Sequence, residues 1–251
     1  MQTLKQFYQT FGWYYVRIWT IHVAALAGVF VLDFRDILAI FIAGLFFNHA
    51  YQLIFHDWIS HDYIRPRNAV FKWLCLMLFY SQDNTIRKKK NYHVFHHQNW
   101  QNAEVDPTQQ KLKNRGLFEY LFALHSPVAQ NIPVREVSLL ENEPVIKFFD
   151  QHSKLVYFAT LVMAFAILPM TWFLAVAIYF PCINTVLGNY HDFYFHGPMQ
   201  GQDKNLLTTV YGTQAWHIAH HQSWREEYYG PGWWFLINPT WYYRQLFFER
   251  V

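Results

Sequence analysis

Residues 91–100 read NYHVFHHQNW and residues 216–221 read WHIAHH, so the spacing His-x-x-His-His occurs twice. With 14 His in 251 residues, chance supplies only about 0.04 such triplets under the compositional prior. On a helix, positions i, i+3 and i+4 project from one face. His93, His96 and His97 therefore present three imidazoles together, and His217, His220 and His221 do the same. A third cluster, HDWISH, holds His56 and His61. Five α-helical residues leave those two about 140° apart, so they share one site only where the helix bends or ends. One zinc takes about four ligands, and structural zinc sites usually mix in thiolates. Eight imidazoles fit two metal ions better. Imidazole suits iron, copper, zinc and nickel alike, so ligand type alone does not choose the metal.

Other metal chemistries lack their residues. No Glu precedes a His by three positions, which removes the Glu-x-x-His pattern of soluble di-iron bundles. HExxH, the zinc peptidase signature, is absent as well. Haem calls for single histidines on facing helices, not clustered triplets. Cys75 and Cys182 both sit in apolar runs and read as packing residues. His22, His125 and His152 stand alone and read as satisfied polar side chains; His49 falls in mid-span and takes no assignment.

The elements that must position these imidazoles read as membrane helices. Apolar residues make up 53% of the chain and aromatic residues 21%, while charged residues make up only 15%, well below the usual quarter. Four stretches are apolar and nearly free of charge: about 14–32, 37–55, 155–168 and 171–188. Spanning takes about 20 such residues. Asp33–Asp36 alone separates the first pair and Leu168–Met170 the second, so each pair reads as a tight helical hairpin. The expected fold is an all-α integral membrane protein, one domain over 1–251, with four spans under a cap formed by 56–154 and 189–251. The stretch 69–82 is too short to span and reads as a buried or interface-lying helix. Of the 20 Lys and Arg, only Arg35 falls in either short turn, which makes the cap side cytoplasmic by the positive-inside rule. Every box histidine lies on that side. The N-terminal segment is aromatic and amphipathic, more like an interfacial anchor than a cleaved signal peptide. The run Arg87–Lys90 reads as a solvated face or a contact for lipid head groups or a substrate phosphate, not for nucleic acid.

HDWISH, then HVFHH, then WHIAHH, in a chain with two hairpins, resembles the membrane fatty acyl desaturases, most closely the delta-9, stearoyl-CoA desaturase type. That family's first box is His-x4-His ending in Trp-Ser-His, as His56–His61 nearly is. Its second box is followed closely by Asp-Pro, here Asp106–Pro107, and GWWFLINPTWYYRQLF resembles its aromatic closing segment. The likeness covers roughly 37–110 and 184–248, and the boxes are shared with membrane hydroxylases and ketolases. The ketolases' first box resembles His-x3-His, unlike this one.

The resemblance implies two irons held by the eight box histidines, with O₂ as co-substrate. Two hydrogens would leave adjacent methylenes of an acyl chain carried as acyl-CoA, acyl-ACP or acyl-lipid. The family adds a ninth histidine four residues beyond an Asn. This chain offers His191 and His196, the latter four beyond Asp192, and both stay open. Asp57, Asp106, Asp192 and Asn189 are the expected partners for the outer nitrogens of the imidazoles. No GxGxxG or CxxC is present, so a separate ferredoxin, rubredoxin or cytochrome b5-like donor is implied, with Arg87–Lys90 its expected docking face. The bilayer would be a bacterial inner membrane or endoplasmic reticulum. A related hydroxylase or carotenoid ketolase, and a non-enzymatic membrane metal-binding protein, are the alternatives. Finally, Gln52, Asn48 and Gly44 stand four, eight and twelve residues before His56 and form one helical stripe. Amides facing lipid are costly, so the stripe should face the interior and line the acyl channel, or else bond a neighbouring helix.

Overall fold

The computed structural model describes residues 19–80, 86–100, 102, 104–112, 116–118, 142–196, 217–222 and 236–251. These are mostly helical. Helix α1 (Trp19–Val29) turns back into α2 (Phe34–Ser60). Asp33 caps the start of α2, its carboxylate accepting the Asp36 amide at 2.8 Å, as N-terminal carboxylates do. Helix α3 spans Ala69–Tyr80, α4 Ile86–Asn99, α5 Pro107–Leu112 and α6 Pro144–Gln151. Helix α7 (Ser153–Ile167) then meets α8 (Met170–His196) across Leu168–Pro169. Short α9 (His217–Gln222) and α10 (Pro239–Phe247) follow.

Helices α2 and α8 are each 27 residues long and apolar enough to cross a membrane. Their hairpin partners are shorter among the described residues. Helix α7 has 15 residues, and residues 14–18 of the first expected span lie outside the description. Phe30, Val31, Phe34, Leu155, Val162, Phe165 and Ile167 are all exposed.

Helix α8 meets α1 and α2 at glycines. A Cβ on Gly44 would come 2.4 Å from Ile183 Cδ1, and one on Gly28 would come 2.2 Å from Tyr179 Oη. A larger residue at either position would force the Ile183 or Tyr179 side chain to move. One step toward the cap, Gly188 faces the Gln52 amide at 3.8 Å. The stripe of Gly44, Asn48 and Gln52 thus faces the protein, with Gly44 and Asn48 buried. The side chains beside Gly44 are those of Ile183 and Phe180.

Both long helices contain a π-helical segment. In α8 it covers Ala175–Tyr179, directly before Phe180 and Pro181; the proline's missing N–H breaks the α-helical ladder there. In α2 it covers Leu53–Ser60 and carries the first histidine box. Past that box, β1 (Ile64–Pro66) pairs antiparallel with β2 (Phe248–Arg250). Val251 N–H donates to the Tyr63 carbonyl at 3.0 Å, and Arg67 donates to the carbonyls of Phe248 and Gln245. The C-terminal residues therefore clamp the chain just after His61. Beneath the clamp, Trp58, Ile64, Leu76, Phe79, Tyr80 and Phe149 form the core. Helix α3 lies between that core and the outside, burying Cys75, Leu76, Phe79 and Tyr80 while exposing Val70, Trp73 and Leu74. It falls within 69–82, the stretch expected to form a buried or interface-lying helix. Ties to α6 hold it: Lys72 pairs with Glu143, and Tyr80 donates to Asp150 at 2.9 Å.

Candidate metal centre

Eight imidazoles from four segments converge in two groups. His56, His61, His93, His97 and His220 form one; His96, His196 and His221 form the other. Within each group the candidate ligand atoms lie within 4.8 Å of one another. None of the eight is more than 8% exposed.

The π-helical end of α2 explains how His56 and His61 meet. An α-helix would splay them, but the wider turn closes an i→i+5 bond, His61 N–H to the His56 carbonyl at 3.1 Å. That bond stacks residues five apart on one face. Their Nε2 atoms come to 3.2 Å. On α4 the i, i+3, i+4 spacing divides between the groups. His93 and His97 join the five, with Nε2 atoms 3.0 Å apart, and His96 joins the three. Helix α9 divides likewise between His220 and His221.

Hydrogen bonding cannot account for these contacts. The Nε2 of His93 lies 3.0 Å from Nε2 of both His61 and His97, and His61 Nε2 has a second neighbour in His56. A neutral ring nitrogen carries one proton or one lone pair, so it serves one such contact and not two. A cation between them serves all. Imidazole nitrogens about 2.1 Å from a metal lie about 3.0 Å apart at right angles and about 3.4 Å apart in a tetrahedron. The Nε2 separations are 3.0–3.2 Å for the pairs His56–His61, His61–His93 and His93–His97, and 3.1 Å between His96 and His196. The touching pairs are closer than tetrahedral spacing, and five candidate ligands exceed the four of a closed tetrahedral zinc site.

Two carboxylates set the tautomers. Asp57 accepts His56 Nδ1 at 2.6 Å, and Asp106 accepts His96 Nδ1 at 2.8 Å. An ionised carboxylate only accepts, so each Nδ1 carries the proton and each Nε2 turns a bare lone pair inward. This carboxylate–histidine arrangement orients metal-binding imidazoles. Asp106 also accepts the Thr108 amide at 2.8 Å. It thereby caps α5, with Pro107 at the first helical position where its missing N–H costs nothing. Asp106→Asn should weaken metal binding about 10- to 100-fold in competition titrations with a chelator. An unchanged affinity would remove Asp106 from the centre's support.

The remaining expected site residues fall as follows. Of the two candidates for the extra histidine, the fold brings His196 into the three-histidine group. His191 stays outside both, half-buried with its ring 4.7 Å from Phe195. Asn189 and Asp192 are half-buried on the same helix. Asp192 makes no hydrogen bond to an imidazole among the described residues. The side chains of His217 and of Arg87–Lys90 lie outside the described residues. His152 is exposed and bonds the Phe148 carbonyl, as a satisfied lone histidine should. His49 is buried, and its Nδ1 meets Thr240 Oγ1 at 3.0 Å, tying α10 to α2. Sequence reasoning missed that contact and also Trp100, whose ring lies 5.0 Å from His221.

Burial and the crowd of neighbouring imidazoles hold the ring nitrogens neutral. Burial pushes His97 down to about 2, helped by His220 and His96, and His220 down to about 3, helped by His191 and His96. His93 and His221 are lowered for the same reasons. These rings are uncharged, each with one bare nitrogen ready to bind a cation at neutral pH. Unfolding restores the ordinary value of 6.5, so between the two values only the unfolded chain takes up protons. Stability of the metal-free protein must then fall as pH drops below 6.5, down to about 3 for His220 and about 2 for His97. Each ring contributes up to about 1.4 kcal/mol per pH unit. Thermal melts of metal-free protein at pH 7 and pH 5 should show the lower Tm at pH 5; equal values would mean the rings are already protonated.

No protein-family model matches the chain, and no curated protein matches it in sequence.

Proposed function

We propose that this chain is an O₂-dependent di-iron fatty acyl desaturase of the membrane, which introduces a double bond into an acyl chain. The observation that supports it best is the pair of buried imidazole groups, to which the ends of two helices long and apolar enough to cross a membrane contribute His56, His61 and His196. The resemblance of the three histidine boxes adds iron and the acyl substrate. His56, His61, His93, His97 and His220 would hold one ion; His96, His196 and His221, joined by His217, would hold the other. When bound, the irons supply the oxidising chemistry that an alkane C–H requires, since no protein acid or base takes a proton from it.

The chain's own residues do the rest. Asp57 and Asp106 hold two imidazoles in the binding tautomer. Burial keeps the rings neutral and excludes bulk water. The π-helical turn fixes His56 and His61 on one face. Four spans, a cytoplasmic cap and a separate electron donor complete the reading. Expression in a host grown with oxygen should add unsaturated fatty acids to its lipid profile, and the His93→Ala variant should not. Oxygenated products in place of unsaturated ones would make the chain a hydroxylase or ketolase. An unchanged profile with zinc in the protein would make it a metal-binding protein without this activity.

A further inference from the structure

We propose that Gln109 is a positioning residue that holds His196 against His96, so that loosening it costs the three-histidine group its ion while the five-histidine group keeps its own. This rests on the two-ion part of the reading above, and on neither iron nor the reaction.

Asp106-Pro107-Thr108-Gln109 opens α5 in the manner of a capping box, with a carboxylate as N-cap and Gln at the third helical position. In such a box the third-position side chain reaches back to the N-cap's own N–H. Here that N–H is already engaged, donating to the Asn102 carbonyl at 2.8 Å. Half-buried Gln109 turns the other way, and its Nε2 donates to the His196 carbonyl at 3.0 Å. His196 is the last residue of α8, and the last carbonyls of a helix have no partner within it. Gln109 supplies that partner at the one residue of α8 whose ring joins a metal group.

The same short helix holds the facing imidazole. Asp106 accepts His96 Nδ1 at 2.8 Å, and Thr108 Oγ1 lies 3.3 Å from the hydroxyl of Tyr92, about one turn before His96 on α4. Helix α5 thus grips α4 through Asp106 and Thr108, and α8 through Gln109. Between these grips the Nε2 atoms of His96 and His196 come to 3.1 Å. The five-histidine group draws its ligands from the first box, α4 and α9, and none from α8 among the described residues. Freeing the end of α8 therefore disturbs one group and spares the other.

The alternative is that Gln109 only stabilises the fold. Gln109→Met and Gln109→Glu separate the two roles, because both keep the length of the side chain and neither can donate; a carboxylate only accepts. Full-length protein stripped of metal and both variants would be titrated with Co²⁺, whose visible absorption reports its ligands. His196→Ala supplies the spectrum of a chain lacking one ligand of the three-histidine group. We expect about two Co²⁺ per unaltered chain. Each Gln109 variant should bind one Co²⁺ as tightly as the unaltered chain and the other about 10- to 100-fold more weakly. At one equivalent its spectrum should match that of His196→Ala. Two ions held as tightly as before overturn the proposal. Weakening of both ions together also overturns it, and makes Gln109 a general packing residue. An unaltered chain that takes up no Co²⁺ is a different failure, which overturns the metal-centre reading itself and this proposal with it.

Discussion

His93→Ala should empty the five-histidine group and abolish turnover. The Nε2 of His93 sits between those of His61 and His97, 3.0 Å from each, so its loss removes the shared middle of the ligand set. Losing a residue that merely orients a ligand weakens a metal site about 10- to 100-fold, and losing the ligand itself should exceed that. Elemental analysis of the unaltered protein should give about two irons per chain, and the variant one or fewer. His22→Ala and His152→Ala supply the control. The ring of His152 bonds the Phe148 carbonyl and stacks on the Phe148 ring, far from this chemistry, so its loss should leave iron untouched. Full iron in His93→Ala, or depleted iron in His152→Ala, would show that the groups are mis-sorted.

Purified iron-loaded protein given O₂, an acyl-CoA and NADPH should yield no product until a reductase and a small redox carrier are added. The expected change is from background to turnover, because the sequence carries no GxGxxG to hold a nicotinamide or flavin cofactor. Removing two hydrogens with reduction of O₂ to water also consumes two electrons from outside. Charge reversal across Arg87–Lys90 should slow delivery by an acidic carrier and flatten its salt dependence. Turnover on NADPH alone would contradict the need for a separate donor.

How legible the centre was in the sequence depended on periodicity. The triplets on α4 and α9 repeat at helical spacing, so their convergence could be read directly. Their division between two groups could not, because it depends on how α4 and α9 approach α2 and α8. His56 and His61 were the harder pair. Nothing in LIFHDWIS announces a π-helical turn, and an α-helix would have parted them. His191 and His196 both lie near the cap end of α8, and only the rotation of that helix brings His196 inward. Apolar runs marked the long helices, and Asp33 with Asp36 marked the turn before α2. Gly44 and Asn48 are buried on α2, but a sequence does not say which side chains fill the space beside a glycine. Contacts such as His49 with Thr240, 191 positions apart, carry no local signal at all.

The most direct test of the central claim is mass analysis of the product formed under ¹⁸O₂. The reaction would use the iron-loaded protein, a reductase, a redox carrier and a saturated acyl substrate. The desaturase reading predicts a product that has lost two hydrogens from adjacent carbons and carries no ¹⁸O, formed only when oxygen is present. A product that keeps its saturation and gains ¹⁸O would contradict it, as would a chain that holds zinc and leaves the substrate unchanged.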